Sequence, residues 1–194
     1  ISTLNVPPFS RSSMDGYAVR ATDTLGASRM KPITLRRKEV LYAGAIPRKP
    51  VGRDECTEIA TGAMLPKGAD SVVMVEDTEA DGETVRVFKP VHRGENISKK
   101  GEDIMPRTKV ISKGDFLNPS KVGALAAIGH DRVKVYAKPL VAVVPTGNEI
   151  AELGAKLEPG QVYNINSYTL AGAIQANGGD VRLSKIVSDS LGDL

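Results

Sequence analysis

Tryptophan is absent from this chain of 194 residues, and three Phe and five Tyr are its whole aromatic complement. Proteins that hold single-stranded nucleic acid need exposed aromatics along a basic stripe. Here the net charge is only +3, from 26 basic against 23 acidic residues. The basic residues are scattered, with short runs only at Arg36-Arg37-Lys38 and Lys99-Lys100. No nucleic-acid partner is therefore expected. A single cysteine, Cys56, excludes an internal disulfide and fits a reducing, cytoplasmic compartment. Two histidines, His92 and His130, are too few for a histidine-based zinc site, and Cys56 has no thiol partner. No apolar run approaches membrane-spanning length, and nothing at Ile1 resembles a signal peptide, so no membrane association is expected. There is no Ser–His–Asp order, no Walker loop and no dinucleotide fingerprint.

What is present points to a strand-rich protein with one later helix–strand unit. Apolar residues make up 41%, enough for a packed core, and 19 Gly with 12 Pro favour short strands and turns over a helical bundle. Residues 1–32 read as an extended entry with one strand at Tyr17–Arg20. Short β-like runs follow at Ile33–Val40, Val72–Glu76 and Val85–Pro90, with Asp81-Gly82 as a hairpin signal. Asn118 suits an N-cap, Pro119 the first helical position and Gly129 the stop of a helix over 118–129. Its apolar face would be Val122, Leu125, Ala126 and Gly129, with a strand at Arg132–Tyr136 after it. From Leu140 the run Leu-Val-Ala-Val-Val has the pattern of a strand buried on both faces. A helix at Ser167–Asn177 and a strand at Val181–Val187 complete a parallel βαβ unit. The chain begins at Ile1, not Met, and stops just after a strand-like stretch, as a piece of a longer protein would.

Ligands of open parallel sheets bind beyond the carboxyl ends of the strands. Glu149 and Asp189 fall on that rim, one after each strand. Either alone could be a helix cap or a solvated turn residue. Together they could serve one site. Thr146-Gly147-Asn148 could offer backbone N–H groups to an anion, and Asn164 and Asn166 lie near the positive end of the helix. A second candidate is the loop from His92 to Asp103. Arg93, Lys99 and Lys100 suit a phosphate, Glu102 and Asp103 a divalent metal, and the plain alternative is a charged surface loop. Thr61-Gly62 places a hydroxyl beside a flexible glycine, and Asp15 lies in a turn at Ser12–Tyr17 that it could simply stabilise.

Taken together these stretches resemble a known family. Pro7-Pro8-Phe9, Met14-Asp15-Gly16-Tyr17-Ala18-Val19, Ala60-Thr61-Gly62-Ala63, Arg93-Gly94-Glu95-Asn96-Ile97, Lys100-Gly101-Glu102-Asp103-Ile104, Thr146-Gly147-Asn148-Glu149 and Gly160–Asn166 stand in the order of the MoeA / gephyrin E-domain family of molybdopterin molybdotransferases. Each motif alone is weak, but seven in order are specific. The resemblance implies a multidomain protein of α+β and α/β character. Residues 1–10 and 104–137 would form an elongated linker subdomain and 11–103 a β-rich inserted subdomain. Residues 138–194 would be the incomplete start of a parallel, MogA-like, molybdopterin-binding α/β subdomain.

The implied activity is insertion of molybdate into adenylylated molybdopterin with release of AMP, dependent on Mg²⁺. The implied assembly is a homodimer whose clefts join the α/β part of one protomer to the β-rich part of the other. The adenylyltransferase of the same pathway is an implied partner. By motif, Asp15, Thr61, Asp103, Glu149 and Asp189 would be the catalytic positions, with Asp103, Glu149 and Asp189 toward the metal. Gly62, Arg93, Lys99, Lys100, Thr146, Gly147 and Asn166 would bind the pterin substrate. Asn148 stands where relatives often carry an acid, and the family's Gly/Ser-rich phosphate loop would lie beyond Leu194, so this chain alone is expected to be inactive. The rival readings are a non-catalytic scaffold and a general anion- or nucleotide-binding α/β protein. Molybdate and tungstate are not distinguished.

Overall fold

The structure, a computed structural model, describes residues 1–190. It divides into two units, Ile1–Arg132 and Val133–Leu194. In the first, the strands are β1 (Arg11–Ser12), β2 (Gly16–Val19), β3 (Ile33–Leu41), β4 (Glu55–Ile59), β5 (Ser71–Met74), β6 (Thr78–Asp81), β7 (Thr84–Val87) and β8 (Ile97–Ser98), followed by helix α1 (Pro119–Ala127). In the second they are β9 (Leu140–Val143), β10 (Ile150–Ala151), β11 (Val162–Tyr163), helix α2 (Asn166–Ala176) and β12 (Asp180–Leu183). The fold is mixed and strand-rich.

Six strands of the first unit form one sheet in the order β5-β2-β4-β3-β7-β6. All neighbours are antiparallel except β3 and β4. β2 lies between β5 and β4 and is wholly buried, which is why its four residues are small or apolar apart from Tyr17. One face packs Tyr17, Val19, Leu35, Cys56, Val73, Val85 and Val87. The other packs Ala18, Leu41, Ile59, Ala63 and Val72. β3 serves both faces. Its register against β4 steps from Arg37↔Cys56 to Val40↔Glu58, one residue more on β3 than on β4. Such a bulge reverses side-chain direction, so Leu35 enters one core and Leu41 the other although they are six positions apart. The hairpin at Asp81-Gly82 forms as expected, with Asp81 opposite Thr84 and Gly82 at φ +60°.

Several expected elements change at their ends. The strand expected at Tyr17–Arg20 runs Gly16–Val19. That at Val72–Glu76 stops at Met74, where a 3₁₀ turn over Val75–Asp77 begins. That at Val85–Pro90 stops at Val87, opposite Ile33 and Thr78, the first residues of its partner strands β3 and β6. Helix α1 has the expected start: Asn118 Oδ1 accepts from Lys121 N at 2.9 Å, and Pro119 opens the helix. Its apolar stripe is not buried, however, and Val122 is 52% exposed. No strand forms at Arg132–Tyr136, because that stretch has no ladder partner.

In the second unit β9 and β12 pair in parallel, with α2 between them in sequence. The expected helix Ser167–Asn177 is shifted by one residue, and the strand expected to reach Val187 ends at Leu183. β9 is not buried on both faces: Leu140 is 67% exposed. Among the described residues this unit has a single helix to set against its strands.

Candidate functional site

Asp15 sits in the bend between β1 and β2, and it does more than close that bend. Its Oδ1 accepts the backbone N–H of Thr61 at 2.7 Å, across 46 residues of sequence. Its carbonyl accepts Val75 N, and the Ser12 hydroxyl donates to the Met14 carbonyl beneath it. Gly62 follows at φ +83°, where a side chain would be strained, and its N–H donates to the Ser12 carbonyl. Exposed Asp15 and Thr61 and half-buried Gly62 therefore form one cluster at the β1 edge of the first unit.

β1 pairs with β8, which brings the loop from His92 to Asp103 onto the same edge. Ser13 N donates to Asn96 O, and the Asn96 side chain donates to Val72 O at 2.9 Å. The loop is pinned at Lys99–Asp103 too. Lys100 N donates to Ser10 Oγ, Gly101 N to Pro7 O, and Asp103 N to Val6 O. The Glu102 carboxylate accepts Lys99 N at 2.9 Å and so closes the turn rather than pointing away as a metal ligand. No described cation pairs with the Asp103 carboxylate, which is exposed. Arg93 and Lys99 line an open pocket of about 400 Å³, and Lys100 is not among its lining residues. Asp70, which the sequence reading passed over, shares that pocket and lies 3.7 Å from Arg93 Nε. Its only sequence signal was an acid just before a strand.

In the second unit the loops after β9 and β12 are tied together. Thr146 bridges to Val187, and Gly147 N donates to Val187 O at 3.2 Å. Glu149 and Asp189 follow these tied positions, in the loops after the parallel strands β9 and β12. Gly147 has φ +142°, and a Cβ built there would stand 2.6 and 2.8 Å from the two Glu149 carboxylate oxygens. Glycine is needed for the Glu149 carboxylate to lie back over the turn. Thr146, Glu149 and Asn166 line a pocket of about 560 Å³ beside the first turn of α2, with apolar walls from Val143, Val162 and Leu170. Asn164 is buried and caps that turn, its Oδ1 accepting Ser167 N at 3.1 Å. The Ser167 hydroxyl, 3% exposed as a residue, has no hydrogen-bond partner among the described residues.

Electrostatics sets the core apart from the rims. Burial pushes the Cys56 thiol up to about 12. Burial also raises the Tyr17 phenol, with Glu58 adding to the shift and Arg37 opposing it. Arg37 and Glu58 form a close ion pair across β3 and β4. These groups stabilise the sheet and lie in its packed interior or flank, not in either pocket. Among the described residues no three His, Cys, Asp or Glu side chains gather as a ready-made metal cage. Glu149 and Asp189 nonetheless offer hard oxygen donors on one rim, and no described cation takes up either carboxylate. Mg²⁺ characteristically needs only one or two protein carboxylates, with water and phosphate oxygens completing its shell, so this donor set fits it.

Residues 1–129 match the family described as the MoeA N-terminal region (domain I and II). The molybdopterin molybdenumtransferase of Bacillus subtilis (strain 168) is 41% identical over 192 residues, covering 96% of this chain and 44% of that protein. That of Staphylococcus aureus (strain N315) is 37% identical over 191 residues, covering 98% and 46%. The chain thus spans about half the length of the curated relatives it matches. A crystal structure of the molybdopterin biosynthesis moeA protein from Pyrococcus horikoshii OT3 superimposes with TM-score 0.86 at 34% identity, covering 99% of this chain and 51% of that one. A second structure of the moeA protein from that source gives TM-score 0.75 at 41% identity, covering 99% and 49%. With the family match extending over most of the chain and the same fold in the solved relatives, the chain belongs to the MoeA family.

Proposed function

We propose that this chain is the front and central part of a molybdopterin molybdotransferase, which inserts molybdate into adenylylated molybdopterin and releases AMP. In this reading the second unit is the start of a MogA-like α/β domain. Residues 11–103 are a β-rich insertion, and 1–10 with 104–137 are the linker around it. The observation that carries the reading is the Thr146–Val187 bridge, which ties together the loops that carry Glu149 and Asp189, with Glu149 lining a half-apolar pocket. A flat pterin or adenine ring suits the Val143, Val162 and Leu170 wall. A phosphate-bearing ligand would be repelled by bare carboxylates, so the acids make sense with a divalent cation between them and the ligand.

Glu149 and Asp189 would hold Mg²⁺, with Asp103 added from the first unit of the partner protomer. A cation held there would supply Lewis-acid stabilisation of the phosphate charge during AMP release. The rest of the work belongs to the chain. Thr146 and Asn166 hydrogen-bond the ligand's polar edge, and Gly147 lets the Glu149 carboxylate fold inward. Asp15 fixes the Thr61-Gly62 turn, so the Thr61 hydroxyl and Gly62 backbone are preset for substrate. Arg93, Lys99 and Lys100 offset the charge of molybdate and phosphate. A homodimer that receives its pterin from the pathway's adenylyltransferase, in the cytoplasm, completes the proposal. Among the described residues no helix is long and apolar enough to cross a membrane.

The test is cofactor formation in the full-length enzyme. Glu149→Ala and Asp103→Ala are each expected to lower molybdate insertion by at least about a hundredfold, with melting temperature unchanged. Normal insertion by either variant would defeat the assignment.

A further inference from the structure

β5 ends the six-stranded sheet, and its outer edge is closed by the chain just before β8. Gly94 N donates to Asp70 O at 2.7 Å, and Val72 N to Glu95 O at 3.1 Å. The next partner is a side chain. Val72 is wholly buried, and its carbonyl accepts the Asn96 amide at 2.9 Å. Here the backbone turns away from β5, for Asn96 has φ +58°. Its own carbonyl accepts Ser13 N at 2.9 Å, and Ile97 opens β8 opposite Ser12. One residue thus finishes the edge of β5 and starts the pairing with β1.

This corner makes two demands. The positive φ is costly for most side chains, and Asn tolerates it better than most. A donor must also reach the Val72 carbonyl, since a buried carbonyl left unpaired is destabilising. Glycine would meet only the first demand. Aspartate would turn a carboxylate oxygen toward a carbonyl oxygen. Asparagine meets both. What the corner holds is the turn that carries Asp15. Ser13 lies two residues before Asp15, and Asp15 O accepts Val75 N, just past the end of β5, at 3.0 Å. The turn is therefore tied to β5 twice, through Asn96 and through Val75. Asp15 Oδ1 accepts Thr61 N from that fixed position. Asn96 itself hydrogen-bonds neither Asp15 nor Thr61.

We propose that Asn96 is a positioning residue, which fixes the Asp15–Thr61 pair by tying the Asp15 turn to the closed edge of β5. It acts through Ser13 and touches no ligand. Its link to the reaction rests on the functional reading above, in which Asp15 presets the Thr61-Gly62 turn. Its structural part stands on the hydrogen bonds of the first unit alone.

Two measurements test it, each on Asn96→Asp, Asn96→Gly and a control, Asn118→Ala, which removes a hydrogen bond elsewhere in the same unit. The first is the amide resonance of Thr61 in the 194-residue chain. Both Asn96 variants should move it upfield and speed its hydrogen exchange about tenfold, as the Asp15 contact loosens. The control should leave it in place. The second is steady-state molybdate insertion by the full-length enzyme, well below the melting temperature of every variant. Both Asn96 variants should lower kcat about tenfold and keep KM for adenylylated molybdopterin within about twofold, because only the alignment is lost. The proposal is overturned if the Thr61 amide stays as in the parent in both variants, or if Asn118→Ala shifts it as much. A rise in KM with kcat unchanged overturns it too, since Asn96 would then act in binding. Asp15→Ala is measured beside them. If that variant inserts molybdate normally, the functional reading falls and the Thr61 amide alone decides the inference. If it is inactive, an unchanged kcat in both Asn96 variants overturns the inference and spares the reading.

Discussion

Gly16 sits where β2 meets β5, and a Cβ added there would stand 1.9 Å from the Val73 carbonyl oxygen. Backbone cannot yield that much without parting the strands. Gly16→Ala is therefore expected to cost at least about 2 kcal/mol in urea unfolding, at the upper end of overpacking effects. The Asp15 turn one residue earlier would be displaced with it. Cys56 gives the second prediction at this scale. With its thiol pushed up to about 12 by burial, native protein should resist iodoacetamide at pH 8, and only unfolded chains should be labelled. The native state keeps this proton where the unfolded chain loses it. The stability contribution is thus lost as pH rises from about 9 toward 12. Asp15, Thr61 and Glu149 could be picked out in the sequence because each lies in a short Gly-bearing motif. Asp70 and Ser167 could not, since the contacts of one and the unpaired hydroxyl of the other depend on residues distant in sequence or on packing.

At the scale of elements, the best-read pieces had local chemical punctuation. Asn118-Pro119 announced α1, Asp81-Gly82 the hairpin, and the apolar run from Leu140 the first parallel strand. The bulge in β3 was hidden, since nothing in Arg37–Val40 marks an extra residue until β4 is laid beside it. The face of α1 was misjudged for a related reason: periodicity shows which side is apolar, not whether anything covers it. Asn118→Ala should fray the first turn of α1 by about 1 kcal/mol, read as faster amide exchange at Lys121. The β3–β4 pair offers a pH test. The Lys38 hydrogen bond, and next the Gly52 N–H, hold the Glu55 carboxyl below its ordinary value of 4.5. A depressed carboxylate stabilises the fold above that value, and the contribution is lost as pH falls through the folded-state value. Glu55→Gln should flatten the acid limb of the stability curve below pH 4.5 and leave its alkaline limb unchanged.

For the whole molecule, family membership was legible because seven motifs are strung along nearly the full chain, and several carry a glycine that the fold needs for its own reasons. Gly16 at a strand crossing, Gly62 at positive φ and Gly147 beneath the Glu149 carboxylate are examples. Of the proposed site, the structure shows the Asp15–Thr61 hydrogen bond in one unit and the tie between the loops that carry Glu149 and Asp189 in the other. The proposed function takes from the family resemblance a homodimer in which acids of different protomers serve one cleft. Co-expression of full-length Asp103→Ala and Glu149→Ala subunits measures this directly. A mixed dimer would carry one cleft with both acids missing and one with both intact. The account predicts that each variant alone is inactive in molybdate insertion and that the mixture recovers a substantial fraction of parental activity. No recovery in a mixture shown to contain mixed dimers would contradict it.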